Sequence, residues 1–333
     1  MNFGIIGAGN IAGTMATTLN QMREPNAYAI ASRSMKKAEE FKEKFHMEKA
    51  YDSYEALAED PDVDVIYIAT PHSFHYEQAK MCLEKGKHVL LEKAFTANAT
   101  QAKELIELSE SKGLFLGEAM WTRFMPLAKK LRKLLDDGVI GSVMFVTANL
   151  NFPMMHKERL VKAELAGGAL LDVGIYPLTI ASLVMGDDIK EIETHARLNE
   201  EGVDLEGQYL ITYEDGRTAD LNSGMVTTSN GNAMVHGTDG YLKIEGVNFI
   251  RGLVLHDNDF IVKKRYSFTD VETYPYENGE EITGYEYEVL ACMDAIKKGH
   301  TECPEMTHQQ TLIMMETMDK IRESMGVKYP FED

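Results

Sequence analysis

Glu92 and Lys93 form a charged pair at the end of a short run, His88-Val89-Leu90-Leu91. Such a run is typical of a strand that is buried on both faces of a parallel sheet. In open α/β sheets, ligands bind beyond the carboxyl ends of the strands. Lys93 is therefore either a solvated loop residue or a reactive group directed into a cleft, and motifs elsewhere in the chain have to decide between these interpretations.

A glycine-rich turn at positions 7–12 follows an apolar strand and precedes a helical stretch. Gly7 permits a tight turn, Gly9 lets the backbone approach a pyrophosphate, and Ala12 allows the helix to pack closely on the strand. The helix N-terminus adds free N–H groups and partial positive charge. The pattern predicts a dinucleotide site that includes Gly7, Ala8, Gly9, Asn10 and Ile11.

The second strand ends at Ser32 and Arg33, where an acidic residue would bind the ribose 2′-hydroxyl of NAD. The sequence has no acidic residue there. Hydroxyl and guanidinium groups, with Lys37 one turn into the next helix, suit a 2′-phosphate instead. The alternative is that Ser32 or Ser34 only caps that helix and that Arg33 is solvated; both interpretations can hold together. We expect NADP as the cofactor, with NAD as the alternative.

The apolar run 63–69 predicts another buried parallel strand, which ends in the loop Thr70–His75. Because this loop follows a carboxyl strand end, we expect it to cross the dinucleotide. His72 and His75 could instead form a metal pair, but no third ligand lies near them in sequence, so no metal is predicted. The expected cofactor contacts here are Ala69, Thr70, Pro71, His72 and His75.

Strands and helices alternate up to residue 117, which predicts a doubly wound parallel sheet of the Rossmann type. Right-handed crossovers would bring the glycine turn, the loop after residue 69 and Lys93 to one edge of that sheet. Lys93 would then face the same cleft as the cofactor.

From residue 142 onwards strands dominate, the last of them predicted at Asp259–Lys264, and turn signals separate them. Two helices, at 285–298 and 308–325, end the chain. We therefore predict an α/β protein with two domains. They are a nucleotide-binding domain at 1–120 and an α+β domain at 121–333 with a large, mostly antiparallel sheet.

The run 178–185 is apolar enough for a buried helix, and Pro177 is tolerable only in its first turn. Asp172 and Tyr176 therefore lie at the turn that opens this helix, where an ionised carboxylate complements the helix dipole. Tyr176 could project its phenol into a cleft. The alternative is a capping aspartate and a half-buried tyrosine, which these two residues alone would favour.

The composition narrows the range of functions. A net charge of −19 would repel phosphates, so nucleic-acid and anionic-membrane partners are not expected. Three cysteines, far apart and without metal-ligand spacing, indicate a reducing compartment. The N-terminus shows no basic segment before an apolar run, and no run approaches the roughly 18 consecutive apolar residues of a membrane helix. We expect a cytoplasmic protein.

Together these motifs resemble the glucose–fructose oxidoreductase/inositol dehydrogenase/MocA family of NAD(P)-dependent enzymes. The resemblance rests on the glycine turn, the loop after residue 69, Glu92-Lys93 and the pattern Asp172-x-Gly174-x-Tyr176. Ala94 stands where the family usually has proline. Many relatives have histidine at the position of Tyr176. A tyrosine there, with the run at 118–124, resembles the branch that contains dimeric dihydrodiol dehydrogenase and D-xylose dehydrogenases.

The resemblance implies hydride transfer between the nicotinamide and a hydroxyl or carbonyl carbon of a sugar or vicinal diol. It makes Lys93 and Tyr176 the catalytic pair, with Asp172 orienting Lys93 or a substrate hydroxyl. The free phenol pKa of about 10 is too high for a base at neutral pH, and a nearby ammonium would lower it. Implied substrate contacts are Trp121, Phe152, Asp172 and Tyr176. Further implied cofactor contacts are Glu92, Lys93, Trp121 and Arg123.

Other interpretations stay open at this point. The enzyme could catalyse a redox-neutral change of a sugar with a tightly bound cofactor, or the chain could be a cofactor-binding sensor without catalysis. His156 and Arg159 either reach the site or are solvated. Helices and the first domain can cover one face of the large sheet in the second domain. The other face, if it is apolar, would pair with a second copy, so we expect a homodimer.

Overall fold

The computed structural model describes residues 1–276 and 283–332, and it divides into two compact units. Unit 1 comprises Met1–Met120 and Tyr274–Leu312, and unit 2 comprises Trp121–Thr273 and Ile313–Asp333. Each unit contains one sheet, and the predicted α/β class is confirmed.

The first part of unit 1 alternates strands with helices, as the sequence predicts. The strands are β1 (Asn2–Ile6), β2 (Asn26–Ala31), β3 (Lys49–Tyr51), β4 (Val65–Ile68), β5 (His88–Glu92) and β6 (Leu116–Ala119). The helices are α1 (Asn10–Gln21), α2 (Met35–Phe45), α3 (Tyr54–Glu59), α4 (His75–Glu84) and α5 (Ala99–Lys112), with a single 3-10 turn at His72–Phe74.

The sheet of unit 1 has the strand order β3-β2-β1-β4-β5-β6, and all its neighbouring strands run parallel. The order reverses between β1 and β4, which is the point where doubly wound sheets open a crevice at their carboxyl ends. β4 consists of buried residues only, because helices cover both faces of such a sheet. The end of β1 and the ends of β4 and β5 are thus brought to one edge, as predicted.

Unit 2 begins with two helices and continues as a large sheet. Its helices are α6 (Trp121–Phe124), α7 (Pro126–Asp136), α8 (Glu158–Val161) and α9 (Ile175–Met185), with a 3-10 turn at Ala163–Leu165, a π-helical turn at Leu170–Gly174 and another 3-10 turn at Phe268–Asp270. Its strands are β7 (Val143–Asn151), β8 (Ile189–Leu198), β9 (Asp204–Tyr213), β10 (Thr218–Gly224), β11 (Ala233–Gly237), β12 (Tyr241–Glu245), β13 (Gly252–His256) and β14 (Val262–Tyr266).

The eight strands of unit 2 follow the order β14-β13-β12-β11-β7-β10-β9-β8. Only β7 and β10 pair in parallel, so the predicted mostly antiparallel sheet is confirmed. The predicted last strand, Asp259–Lys264, is wrong in its bounds. Asp257 accepts the backbone N–H groups of Asp259 and Ile261, at 3.0 and 2.9 Å, and so forms a turn that separates β13, which the sequence analysis missed, from β14.

Two helices near the end of the chain lie close to their predicted bounds. They are α10 (Glu286–Lys297) and α11 (His308–Met325). The segment Tyr274–Leu312, which contains α10, clusters with unit 1, whereas the predicted division places it in the second domain. Its hydrogen bonds explain this difference, since the Leu116 N–H donates to the Thr301 carbonyl at 2.9 Å.

One helical stretch among the described residues, Ala163–Met185, is long and apolar enough to cross a membrane by length and composition. Asp172 interrupts the consecutive apolar residues of this stretch, so no run of membrane-spanning length was predicted from the sequence. Most of the stretch, 83% of its most apolar window, is buried within the protein, as in a core helix.

Candidate active site

The glycine turn joins β1 to α1 at the carboxyl end of a central strand. Gly7 has a φ of +100°, and a Cβ there would lie 2.7 Å from the Ala69 carbonyl oxygen. Both the conformation and the space therefore require glycine. Gly9 is the N-cap of α1, and a Cβ on it would meet no atom within 4 Å. The space beside Gly9 at the N-terminus of α1 is therefore open, and this is where the dinucleotide pyrophosphate is expected.

Ser32 and Arg33 follow β2, next to β1 in the sheet. Ser32 is buried, whereas Arg33 is exposed and its guanidinium carbon lies 5.9 Å from the centre of the Phe74 ring. Ser34 accepts the N–H of Lys37 at 3.4 Å and caps α2, so the capping alternative holds for Ser34. Arg33 remains beside the ends of β2 and β4, where an anionic group of a dinucleotide would lie.

His75, a predicted cofactor contact, lies fully buried in the fold of unit 1. Its Nδ1 is 2.9 Å from the Ala94 carbonyl oxygen, and its Nε2 is 2.9 Å from the Thr70 carbonyl oxygen. Burial lowers the pKa of His75 to about 4, so the ring is neutral at pH 7 and donates to one carbonyl only. The two ring nitrogens face the main chain, and His75 thereby ties the loop after β4 to the residues that follow Lys93. The structure supports this role more directly than a cofactor contact.

Neither His75 nor its neighbour His72 belongs to a metal site in the described parts of the chain. His72 is also buried, and its ring centre lies 5.7 Å from that of His75 in an edge-on arrangement. No group of three histidine, cysteine, aspartate or glutamate side chains that could hold a metal ion is found among the described residues.

Lys93 follows directly on β5, and its surroundings include a buried carboxylate. Glu92 accepts the Lys93 N–H on Oε2 at 3.1 Å and the Tyr67 hydroxyl on Oε1. Tyr67 is fully buried, and burial together with the negative charge of Glu92 raises the pKa of its phenol well above the usual value. Tyr67 is therefore a neutral donor that holds Glu92 in place. The peptide bond between Lys93 and Ala94 is cis.

A second carboxyl group, Glu288 of α10, approaches the same cluster. It is fully buried, and within the described chain its carboxyl oxygens make no hydrogen bond. Burial first and the charge of Glu92 second raise the pKa of Glu288 well above its usual value. Two carboxyl groups so placed cannot both ionise, so Glu288 is neutral and Glu92 carries the charge. No local pattern reveals this proximity, since Glu288 lies nearly 200 positions from Glu92.

In unit 2, Trp121 and Tyr176 are brought together, as the resemblance implied. The Trp121 indole Nε1–H donates to the Tyr176 phenol oxygen at 3.2 Å. Trp121 also stacks on Phe249, with ring centres 5.4 Å apart and planes at 30°. Tyr176 lies in the first turn of α9 and is 8% exposed. The phenol is thus largely withdrawn from water and has a fixed donor on its oxygen.

Asp172 lies on the π-helical turn before α9 and is 6% exposed. Its Oδ1 accepts from the Arg159 Nη1 at 3.0 Å. Arg159 therefore contacts a predicted site residue, and its own role in the site stays a prediction. The predicted partners of Asp172, Lys93 or a substrate hydroxyl, stay predictions.

Asp204, at the start of β9, is a residue of this site that the sequence analysis missed. Its Oδ2 accepts the Leu170 N–H at 2.7 Å, which fixes the turn that carries Asp172. Asp204 is fully buried, and burial raises its pKa to about 7. A Cβ on Gly168 would lie 2.1 Å from Oδ1, and Gly168 has a φ of +127°. Only the pair Gly167-Gly168 in the sequence hinted at such close packing.

Arg123 and Phe152 complete the predicted set. Arg123 is buried and donates from Nη2 to the Ser182 hydroxyl at 3.2 Å, so it joins α6 to α9 within unit 2. Phe152 follows β7 and is 38% exposed, with its N–H bonded to the Gly224 carbonyl at 3.1 Å. An exposed ring at the end of a strand suits a substrate contact, which stays a prediction.

The sheet of unit 1, its glycine turn and the charged groups at its strand ends define an NAD(P)-dependent dehydrogenase or reductase. The family model described as "Oxidoreductase family, NAD-binding Rossmann fold" matches residues 1–119, and that of the "GFO/IDH/MocA C-terminal domain" matches residues 128–243. The chain belongs to this Gfo/Idh/MocA oxidoreductase family, as the resemblance indicated.

Relatives and solved structures cover nearly the whole chain. It is 33% identical to trans-1,2-dihydrobenzene-1,2-diol dehydrogenase of Mus musculus over 338 residues, which cover 99% of this chain and 98% of the relative. It is 31% identical to the enzyme of the same name from Homo sapiens over 334 residues, with the same coverage. KijD10, a 3-ketoreductase from Actinomadura kijaniata solved with NADP and TDP-benzene, matches with a TM-score of 0.86 and 28% identity, covering 97% of each chain.

Proposed function

We propose that this enzyme prefers NADP and transfers a hydride between the nicotinamide and a hydroxyl or carbonyl carbon of an aldose or a related vicinal diol. The observation that carries the proposal lies at the start of α9. There Trp121 donates a hydrogen bond to Tyr176, and the buried Asp172 pairs with the partly exposed Arg159. Relatives that carry dihydrodiol and ketoreductase names support the substrate class.

The residues of unit 1 fit the cofactor. The open space at the N-terminus of α1 suits a pyrophosphate, and the end of β2 offers Ser32 and the exposed Arg33 without an acidic residue. A 2′-phosphate would gain charge-assisted hydrogen bonds there, whereas a 2′-hydroxyl would lack its usual carboxylate partner. The NADP complex of KijD10 also supports this preference.

A bound nicotinamide supplies or accepts the hydride. Tyr176 exchanges a proton with the substrate oxygen as general acid or base, and Lys93 donates a hydrogen bond to that oxygen through its ammonium group. Asp172, held by Arg159, orients a substrate hydroxyl. Glu92 fixes the backbone of Lys93 through the N–H bond at 3.1 Å.

The proposal is tested with Lys93→Met and Tyr176→Phe, each assayed for NADPH-dependent reduction and for NADPH binding by fluorescence titration. Loss of a general acid/base is expected to lower kcat by about 100-fold or more, while cofactor binding stays measurable. Lys103→Met, an exposed lysine on α5, is the control and should keep the wild-type rate. Near wild-type turnover in both site variants, on a substrate that the wild type reduces, would overturn the mechanism.

We also propose a homodimer that forms through the outer face of the unit 2 sheet. Four rings from four neighbouring strands stack along this face, with centre separations of 4.1, 5.8 and 4.3 Å. They are Phe145, His236, Tyr241 and His256. Leu210, 43% exposed, lies on the same face of the sheet and adds apolar surface. An apolar patch of this kind on an otherwise acidic chain is typical of a self-complementary interface.

Size-exclusion chromatography with light scattering should give twice the chain mass of 37.4 kDa. The double variant Phe145→Glu/Leu210→Glu should shift the mass toward one chain, because burial of two carboxylates disfavours the interface. Phe331→Glu, an exposed ring away from these strands, is the matched control. A wild-type monomer at all concentrations would refute the dimer.

A further inference from the structure

Trp121 and the two residues that follow it are each fixed by a contact with another element of unit 2. The Trp121 ring stacks on Phe249, and the next residue, Thr122, donates from its hydroxyl to the Asn248 carbonyl at 2.6 Å. Arg123, one position further, bonds to Ser182 of α9. Three consecutive residues of α6 are therefore fixed, two to the loop before β13 and one to the helix that carries Tyr176.

The hydrogen bond between Trp121 and Tyr176 can have only one direction. An indole N–H donates and cannot accept, so at 3.2 Å the phenol oxygen of Tyr176 is the acceptor. The hydroxyl proton of Tyr176 is left for another partner. A donor on the phenol oxygen binds a phenolate more strongly than a phenol, since hydrogen bonds to charged groups are about twice as strong.

We propose that Trp121 is a positioning residue that stabilises the phenolate of Tyr176 through its indole N–H, and so tunes the proton transfer that accompanies hydride transfer. This inference rests on the proposed role of Tyr176 as general acid/base. In the reducing direction the hydride goes to the carbonyl carbon and the Tyr176 hydroxyl proton goes to the carbonyl oxygen, which leaves a phenolate. In the oxidising direction the phenolate takes that proton back. Trp121 keeps its own proton throughout.

The chain offers an unusually clean test, because Trp121 is its single tryptophan. Biosynthetic replacement of tryptophan by β-(3-benzothienyl)alanine exchanges the indole N–H for sulfur at this one position and keeps the ring shape. Trp121→Phe is the genetic counterpart. The readout is the ionisation of Tyr176, followed by NMR of protein with ¹³Cζ-labelled tyrosine. The Tyr176 resonance is assigned from its loss in Tyr176→Phe, and neither cofactor nor substrate is needed.

In both the analogue protein and Trp121→Phe, the titration midpoint of Tyr176 should be about one pH unit higher than in the native protein. At a fixed pH below the midpoint, this corresponds to a phenolate fraction about tenfold smaller. The pH profile of kcat should move by the same amount. Phe249→Leu removes the stacking partner and keeps the N–H, so it should leave the midpoint unchanged. This variant separates a hydrogen-bond effect from a packing effect.

An unchanged Tyr176 midpoint in the analogue protein would overturn the inference, as would a native Tyr176 that does not ionise before alkaline unfolding. The failure of the proposed function looks different. If Tyr176→Phe turns over like the wild type, Tyr176 is not the acid/base. If Tyr176→Phe is inactive and the Tyr176 midpoint is the same in the native protein and in the analogue protein, only the role of Trp121 is wrong.

Discussion

The candidate groups of unit 1 stand where strands end, whereas those of unit 2 stand where a helix begins. Lys93 and the glycine turn are positioned by neighbouring parallel strands and by residues within the same motifs. Asp172 and Tyr176 are positioned by partners from other elements, namely Arg159, Asp204 and Trp121. Strand ends at one edge of a parallel sheet, as in unit 1, are common to doubly wound sheets. The helix start in unit 2 depends instead on tertiary packing that is particular to this fold.

The two regions also differ in how they hold buried acids. In unit 1, Glu288 makes no hydrogen bond within the described chain, and burial together with the charge of Glu92 keeps it neutral. In unit 2, Asp204 makes a short hydrogen bond to the Leu170 N–H. A buried acid that bonds to a helix start is part of the scaffold, so its removal should affect the site more than removal of a carboxyl without such a bond.

The largest expected effects come from a matched pair of glycines, one in each region. Gly7→Ala and Gly168→Ala each combine a positive φ with a Cβ clash, at 2.7 Å and 2.1 Å, and each should lower the free energy of unfolding by about 3 kcal/mol. Gly7→Ala should also weaken NADPH binding strongly. Gly168→Ala should leave binding largely intact and reduce kcat, because it displaces the turn that carries Asp172.

Gly216→Ala is the control for this pair, since Gly216 has a φ of +85° and open space around its Cβ position. It should lose only about 1 kcal/mol of unfolding free energy. Urea unfolding and NADPH titration measure all three variants. If Gly168→Ala weakened cofactor binding as much as Gly7→Ala, the separation between the two regions would be refuted.

Most of the fold could be predicted from sequence because periodicity and turn residues are local. Five of the six parallel strands follow apolar runs, whereas the three-residue edge strand β3, Lys49–Tyr51, has no such run and was missed. Pro126–Asp136 shows a helical pattern after a proline at its first position. β13 was missed because its strand signal is short and because the turn at Asp257 resembles the start of the next strand. The segment containing α10 joins unit 1 through contacts with residues far away in sequence, which no local pattern reveals.

The site shows the same limit. Gly7, Arg33 and Lys93 belong to motifs whose spacing carries the chemistry, so the sequence identified them. Asp204 and Glu288 lie in ordinary strand and helix patterns, and only burial makes them unusual. His75 was predicted to contact the cofactor, yet its ring nitrogens face two main-chain carbonyls. The spacing of residues in a sequence cannot reveal hydrogen bonds between residues that are far apart along the chain.

Across a range of pH, an effect comparable in size to that of the glycine pair is expected at Asp204. Its folded pKa of about 7 lies above the unfolded value of about 3.9, so the folded state holds the proton more tightly. The stabilising contribution is complete below about pH 4 and is lost as the pH rises to about 7, by about 1.4 kcal/mol per pH unit.

Asp204→Asn keeps an acceptor for Leu170 and cannot titrate, so the stability difference between wild type and variant should shrink or reverse as the pH rises. Urea unfolding across this pH range measures that difference. Asp220→Asn, an exposed carboxylate on β10, is the control and should show no such trend. A difference that stays constant with pH would mean that Asp204 is ionised throughout.

The smallest effect is expected from Glu288→Gln in unit 1. Because Glu288 is neutral at pH 7, the amide is close to an isostere, and unfolding free energy should change by less than about 1 kcal/mol. Glu92→Gln should cost more, since it replaces the carboxylate that accepts from Tyr67 and from the Lys93 N–H. Chemical unfolding and turnover at neutral pH compare the two. A loss of about 3 kcal/mol or more in Glu288→Gln would show that Glu288 is charged and paired, because breaking a buried ion pair has that magnitude. The contrast between a bonded acid in unit 2 and a neutral acid in unit 1 would then have to be abandoned.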